Sequence, residues 1–404
     1  MYWEKSQRLN DIRYDIRGPI YSKALEMEAS GQSIIPLNIG NPAAFGLEVP
    51  KIIQNELLES LGESGGYTHQ LGNIQAREAV AAYATTHKIA DISARHIVIG
   101  NGVSELILMS MQALLNAGDE VLVPAPDYPL WTAAVGLAGG KAVHYLCDEK
   151  NGWQPDIDDI ERKISPKTRA IVIINPNNPT GAVYDVECLQ SMVDLAQKHH
   201  LVVCSDEIYD HVYFNEGSHT ACAALGNEGL FLTYGGISKN HFAAGYRAGW
   251  MIMSGDTEKA TGFWEGINLL ASMRLCSNAL AQAVIPVALQ HFGEIKKTVS
   301  PGGRLYEQKT YAVERINSIE GLQCIVPKGA MYVFPSFDKN RFDFQSDEDF
   351  VLRYLIEQSV LLVPGTGFNH TDDFHFRLVF LADKVVLSRA FDLLENFLFD
   401  HRRC

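Results

Sequence analysis

RAIVIINPNNPTGAVYDVECLQSMVDLAQKHHLVVCSDEIY, residues 169–209, holds two apolar runs separated by a helical pattern. RAIVII (169–174) and LVVCS (201–205) are nearly continuous in aliphatic residues, which suits strands buried on both faces of a sheet. Between them Leu189, Met192, Val193 and Ala196 recur at i, i+3, i+4 and i+7, the apolar stripe of a helix that begins after 185. Strand, helix, strand is the signature of an α/β domain on a mostly parallel sheet. Polar residues gather just past each strand: Asn175-Pro176-Asn177-Asn178-Pro179-Thr180-Gly181 after the first, Asp206-Glu207-Ile208-Tyr209 after the second.

The same alternation extends in both directions. IVIG (97–100), EVLVP (120–124), AVHYLC (142–147), LFLTYG (230–235) and GWMIM (249–253) complete seven expected strands. Ligands of such sheets lie outside the carboxyl ends of the strands. After IVIG comes Asn101-Gly102-Val103-Ser104-Glu105 and an apolar helix; free N–H groups and the helix dipole there suit an anion, although Ser104 could instead cap the helix. After EVLVP, Tyr128 and Trp131 are available to line or stack on a flat ring. Upstream, helices are expected from about 51 and over about Ile74–His87, and Tyr67 stands in a loop between them. LNIGNP (37–42) reads as a short strand broken by Gly40-Asn41-Pro42, preceded by RYDIRGPI, with Arg13, Tyr14 and Arg17, and the helix-like YSKALEMEAS. About 275–300 reads as helical and crosses out of the sheet.

From about 302 a smaller α/β unit begins: a helix (303–318), MYVFP (331–335), a helix (347–358), VLLVP (360–364) and FHFRLVFL (374–381). In the last, Phe374, Phe376, Leu378 and Phe380 share one face, and His375, Arg377 and Val379 the other, so Arg377 is held on a strand away from the core. The expected organisation is an N-terminal arm (1–45), a large domain (46–285) and a small C-terminal domain (286–404). The final helix carries Leu387, Phe391, Leu394 and Leu398 on one stripe.

The 404-residue chain is 47% hydrophobic and 20% charged, with a formal net charge of −14. An acidic chain without a basic stripe argues against nucleic acid and anionic membrane surfaces. No apolar run approaches the ~20 residues of a membrane span. The seven cysteines are scattered with no CxxC pair, which points to free thiols in a reducing compartment; together with the polar, mixed-charge N-terminus this makes the cytoplasm the expected location.

YGGISKNHFAAGYRAGW (234–250) places Lys239 among small residues, with Arg247 eight positions on. A lysine desolvated in such a setting becomes nucleophilic, and an arginine fork suits a phosphate. Schiff-base lysine and phosphate anchor together suggest pyridoxal phosphate. The plain alternative is a loop with two solvated cations, just as Asp206 could be a helix cap and the 40–42 segment a connecting turn.

Asn178 in NPNNPTG, Asp206 and Tyr209 in SDEIY, Lys239 in SK, Arg247 in AGYRAGW and Arg377 in FRLVF, in that order, resemble class I aminotransferases, which are fold type I pyridoxal-phosphate enzymes. The resemblance covers essentially the whole chain. YDIRGPI, LNIGNP, GNGVSEL, VPAPDYPLWTAAV and PGGRLYEQ resemble the bacterial glutamate–pyruvate (alanine) branch. It implies ping-pong transfer of an amino group between L-alanine and 2-oxoglutarate, with Lys239 as Schiff base and proton shuttle. It further implies that Asp206 pairs with the pyridine nitrogen, that Tyr209 and Asn178 contact the ring 3-oxygen, and that Tyr128 stacks on the ring. Arg247, Ser104 and the N–H groups near Val103 would hold the phosphate, and Ser238 would also contact the cofactor. Arg377 would take the substrate carboxylate, helped by Gly40 and Asn178. Tyr67 would reach the phosphate of a neighbouring subunit, which implies a homodimer with shared sites. Two departures stand out. Family members often carry Ser or Thr where this chain has Gly236, and a small residue where it has Phe242. The alternatives are an aminotransferase for aromatic, branched or acidic amino acids, a lyase acting at Cβ, and a cofactor-sensing regulator. The regulator needs a DNA-binding module, and only a short arm precedes the sheet here.

Overall fold

The structure, a computed structural model, describes residues 3–403 other than 11, 15, 17, 215–218, 227 and 373. Arg17 and Cys404 lie outside the described residues. After a short strand β1 (Ile35–Pro36), the large sheet is built from β2 (Ile97–Gly100), β3 (Glu120–Ala125), β4 (Lys141–Asp148), β5 (Gln154–Pro155), β6 (Thr168–Ile174), β7 (Val202–Asp206), β8 (Leu230–Gly236) and β9 (Gly249–Gly255). Their spatial order is β2-β9-β8-β7-β6-β3-β4-β5. Only β9 and β5 pair antiparallel to their neighbours. All seven expected strands are present; the eighth, β5, is a two-residue edge pair on β4, too short to carry a periodic signal.

The continuous apolar runs are explained by the two faces of the sheet. Ile171, Ile173 and Val203 point into a core with Leu189, Met192, Val193 and Ala196 of the helix Val186–Lys198. Ala170, Val172, Ile174 and Cys204 point the other way, onto Leu106, Ile107 and Met111 of the helix Val103–Leu114 and Ile267 and Ala271 of the helix Thr261–Arg274. Each fully buried Ile or Val contributes roughly 1.5–3 kcal/mol. A polar residue on either face would forfeit that.

The C-terminal part has its own core, into which Leu305, Phe350, Phe376 and Phe391 pack. Its strands are β10 (Leu322–Gln323), β11 (Tyr332–Val333), β12 (Ser336–Phe337), β13 (Val360–Leu361), β14 (Val363–Pro364) and β15 (Phe376–Val379). Strand β15 lies between β11 and β14, antiparallel to both. Helices Arg304–Ser318, Asp347–Gln358 and Lys384–Asp400 surround it. The N-terminal segment joins this part: β1 pairs with β13, and Ala24 and Met27 of the helix Pro19–Ala29 pack on Leu355 and Leu361.

Two local expectations are corrected. The arm strand is Ile35–Pro36 and not 37–42; Leu37 then bridges, its N–H donating to Leu361 and its carbonyl accepting from Val379. Residues 275–300 form three short helices, Ala279–Ala283, Ile285–Ala288 and Gly293–Val299. Pro286 cannot donate to the preceding turn, so it ends one helix and sits in the first turn of the next. Six cysteines, all but Cys404, are unpaired. Among the described residues no helix is long and apolar enough to cross a membrane.

Candidate active site

A cavity of about 590 Å³ opens at the carboxyl ends of β2, β3, β6, β7 and β8, closed on the far side by the N-terminal segment and β15. It is lined by Gly40, Val103, Ser104, Tyr128, Asn178, Asp206, Tyr209, Ser238, Lys239, Arg247 and Arg377, eleven of the twelve residues to which the family resemblance gives a role; Trp131, also a candidate to line a ring, is not among the lining residues. The twelfth, Tyr67, is 83% exposed and does not line this cavity.

One end of the cavity is built for an anion. Gly102 precedes the helix Val103–Leu114 at φ +83, so the helix starts at Val103 and Ser104 is its second residue, not its cap. A Cβ at Gly102 would stand 2.3 Å from the Arg247 guanidinium. Arg247 is itself left-handed (φ 61), and donates to the carbonyls of Ala244 and Asn101 at 3.0 and 3.2 Å. The first N–H groups of this helix and a guanidinium therefore converge on one corner.

The other end holds a buried carboxylate. Asp206 closes β7 and is 3% exposed. Trp131 Nε1 donates to its Oδ2 at 3.1 Å and the Ile208 N–H to its Oδ1 at 3.4 Å. Burial pushes its carboxyl up to about 6 in spite of those bonds.

Lys239 lies between the two ends. It follows β8 in the four-residue helix Ile237–Asn240, and Nζ donates to the Gly40 carbonyl at 2.6 Å. Gly40 must lack a side chain, because a Cβ would meet the Tyr332 hydroxyl at 2.4 Å. The two departures noted above find structural reasons. Gly236 is extended (φ 178), so its backbone suits any residue, but a Cβ would lie 2.9 Å from the Ala248 carbonyl and 3.3 Å from Gly249 Cα. A hydroxyl side chain has no room between β8 and β9. Phe242 (φ 56) is turned into the C-terminal core and does not line the cavity.

Opposite Lys239, Arg377 on β15 is 2% exposed. The expectation that this strand face lies away from the core is corrected: His375, Arg377 and Val379 are all buried. The guanidinium is sandwiched by the rings of Tyr332 and Phe368, each 4.5 Å away. Nη1 donates to Asn178 Oδ1 at 2.8 Å and Nη2 to the Asn38 carbonyl, while Nε is buried without a partner among the described residues. Asn178 is fixed by its loop. Asn177 Oδ1 accepts from the N–H and hydroxyl of Thr180, and Gly181 (φ +70) leaves no space for a Cβ beside Pro327.

Tyr332 was not foreseen. Its hydroxyl is 2.6 Å from that of Tyr209. Burial raises the pKa of both phenols, but the Lys239 and Arg377 charges and the hydrogen bond from Tyr209 outweigh burial at Tyr332 and hold it below the ordinary tyrosine range. The only signal in MYVFP was a tyrosine inside an expected buried strand, which must find a partner. Tyr14 bonds Tyr128 at 3.0 Å and brings the N-terminal segment over the cavity.

Comparisons with known proteins identify the family. The family model "Aminotransferase class I and II" matches residues 32–390. The glutamate-pyruvate aminotransferase AlaA of Escherichia coli K12 is 49% identical over 387 residues, covering 95% of this chain and 96% of that protein. The alanine aminotransferase of Mycobacterium tuberculosis H37Rv is 48% identical over 400 residues, covering 99% and 93%. A crystal structure of an aminotransferase from Escherichia coli superposes with a TM-score of 0.98 at 46% identity over 100% of both chains. An alanine aminotransferase from Pyrococcus furiosus gives 0.93 at 35% identity, covering 98% and 100%. A chain whose sequence matches that family from the arm to the last helix, and whose strand ends converge on one lysine, belongs to the class I and II aminotransferases.

Proposed function

We propose that this chain transfers an amino group between L-alanine and 2-oxoglutarate, giving pyruvate and L-glutamate, with pyridoxal phosphate as cofactor. The observation that carries the reading is the alignment of an anion corner at Val103, Ser104 and Arg247, an amine at Lys239, a buried carboxylate at Asp206 and a buried guanidinium at Arg377 across one cavity. The names of the relatives at 48–49% identity support alanine and glutamate as substrates.

The residues fit the cofactor. The missing Cβ of Gly102 leaves the corner open beside Arg247 for a phosphate, joined by the Ser104 and Ser238 hydroxyls. Asp206 suits a protonated ring nitrogen, a cation that would supply the counter-charge its burial lacks. Tyr128 lines the wall for a ring to stack on, while Tyr209 and the Asn178 amide would hold the ring oxygen. When bound, the cofactor supplies an electron sink for a substrate carbanion. Lys239 Nζ would carry the cofactor and, when free, act as the base that moves the proton on the substrate Cα. Arg377 would orient the substrate through its carboxylate, with Nε as the unused donor. Tyr67, exposed in one chain, would serve the site of a second copy, which makes the protein a homodimer with shared sites. The organisation we infer is an arm of residues 1–45, a large domain of 46–285 and a small domain of 286–404, in the cytoplasm.

The loaded enzyme mixed with L-alanine alone should release one equivalent of pyruvate per subunit and stop. Adding 2-oxoglutarate should restart turnover and yield L-glutamate. Continuous ammonia release from a β-substituted amino acid, without need of an oxo acid, would replace this reading with a lyase. Faster half-reactions with aromatic, branched or acidic donors would replace alanine.

Arg377→Lys tests the carboxylate assignment. A lysine cannot form the fork, and one lost charged hydrogen bond is worth about 1.5–3 kcal/mol, so kcat/KM for alanine should fall roughly 10- to 100-fold. An unchanged value would place the carboxylate elsewhere.

A further inference from the structure

Far from Lys239 Nζ in function, though only two residues before Arg377, a second cluster of ligand-type side chains comes together. His370, Asp372 and His375 each bring one nitrogen or oxygen to within 4.8 Å of the others. The His370 and His375 rings stand edge to face, with centroids 4.6 Å apart. His375 is 2% exposed, and its Nδ1 has no hydrogen-bond partner among the described residues. On the far side of that ring, Nε2 lies 3.3 Å from Glu149 Oε2, whose other oxygen is also buried and unpartnered. A buried imidazole nitrogen left unpaired costs about 1–3 kcal/mol and calls for a ligand.

We propose that His370, Asp372 and His375 bind one divalent transition-metal cation of the zinc class, with Glu149 orienting His375 from behind. The donor set is two imidazoles and a carboxylate, which suits such cations better than calcium or magnesium. Asp372 Oδ1 is 3.9 Å from His375 Nδ1. A tetrahedral shell with bonds of about 2.0–2.1 Å needs neighbouring ligands roughly 3.4 Å apart, a shift the half-exposed Asp372 can make. A carboxylate on the second nitrogen of a ligating histidine fixes its tautomer, which is the role Glu149 fills. Trp153 lies edge-on to both imidazoles, with ring centroids at 5.5 and 5.6 Å, and Phe334 stacks on His375 at 5.2 Å, a dry wall behind the cluster.

The consequence reaches the cavity. The segment between Gly365 and His375 places Phe368 against Arg377, and Asn369 donates to the buried Asp127 at 2.8 Å. A cation joining His370 to His375 would clamp the end of that segment where β15 begins.

A second cluster, His87, Asp210 and His211, serves as the control. There the Tyr83 hydroxyl already satisfies Asp210 at 2.6 Å and His211 at 2.8 Å. The cofactor-loaded full chain, stripped with a chelator and dialysed, is titrated with Zn²⁺ against a chromogenic zinc indicator. One equivalent should outcompete the indicator. His370→Ala and Asp372→Asn, both at partly exposed positions, should each weaken that equivalent at least about 10-fold. His87→Ala should leave it unchanged. The proposal is overturned if no equivalent outcompetes the indicator, if both loop variants bind like the wild type, or if His87→Ala removes the binding instead. A readout of bound zinc does not depend on transaminase activity.

Discussion

Lys239→Ala folds normally and loses at least about 10⁴-fold in turnover. A positioned general base alone is worth about 10²–10⁴, and this substitution also removes the nucleophile that would carry the cofactor. The fold should survive because the side chain lies in the cavity wall and its Nζ donates to the Gly40 carbonyl. Losing that bond costs about 1 kcal/mol, so Tm should move by only about 2–4 °C. After borohydride reduction, mass spectrometry of the wild type should show a cofactor adduct on the peptide holding Lys239, and the variant none. An adduct persisting in the variant, or turnover within tenfold of wild type, would sink the assignment.

The strands were readable in the sequence because burial on both faces makes them continuous apolar runs: residues 170–174 of RAIVII are apolar throughout and alternate between the two cores. The strand-end residues were readable because a parallel sheet places all its carboxyl ends on one side, so Ser104, Tyr128, Asn178, Asp206 and Lys239 had to meet. Alternation placed Arg377 on the strand face opposite Phe376 and Phe380, but its surroundings were misjudged. Period-two reasoning separates two faces and cannot say that both are covered, one by the C-terminal core and one by Tyr332, Phe368 and the chain at Asn38. Tyr332 and Trp131 act through partners about 75 or more residues away in sequence, Tyr209 and Asp206, and such pairs leave no local spacing to read. The helix breaks near 286 were signalled by a single proline; the edge strand β5 by nothing periodic.

Asp206→Asn should lower kcat by roughly 10³-fold or more, the scale of losing a preorganised charge at the reacting group, and yet stabilise the cofactor-free protein. The carboxyl is buried, and burial lifts its pKa from about 3.8 unfolded to about 6 folded. The folded state therefore holds the proton more tightly than the unfolded chain. Stability from the protonated carboxyl is fully present below about pH 4 and is lost as pH rises through about 6. At pH 8 the wild type buries an uncompensated charge that asparagine lacks. A shift of about two pKa units corresponds to roughly 2–3 kcal/mol, the expected gain of the cofactor-free variant in urea unfolding at pH 8. The gain should shrink toward zero near pH 4. Asp127, also pushed up by burial to about 7, is common to both proteins and cancels in the difference. Trp131 can still donate to the amide oxygen, so packing changes little. With cofactor bound, the order should reverse, because the ring cation repays the charge only when Asp206 is present. A variant that is less stable than wild type at pH 8 without cofactor, or that keeps its turnover, would show that this carboxylate does not face the cofactor's cation.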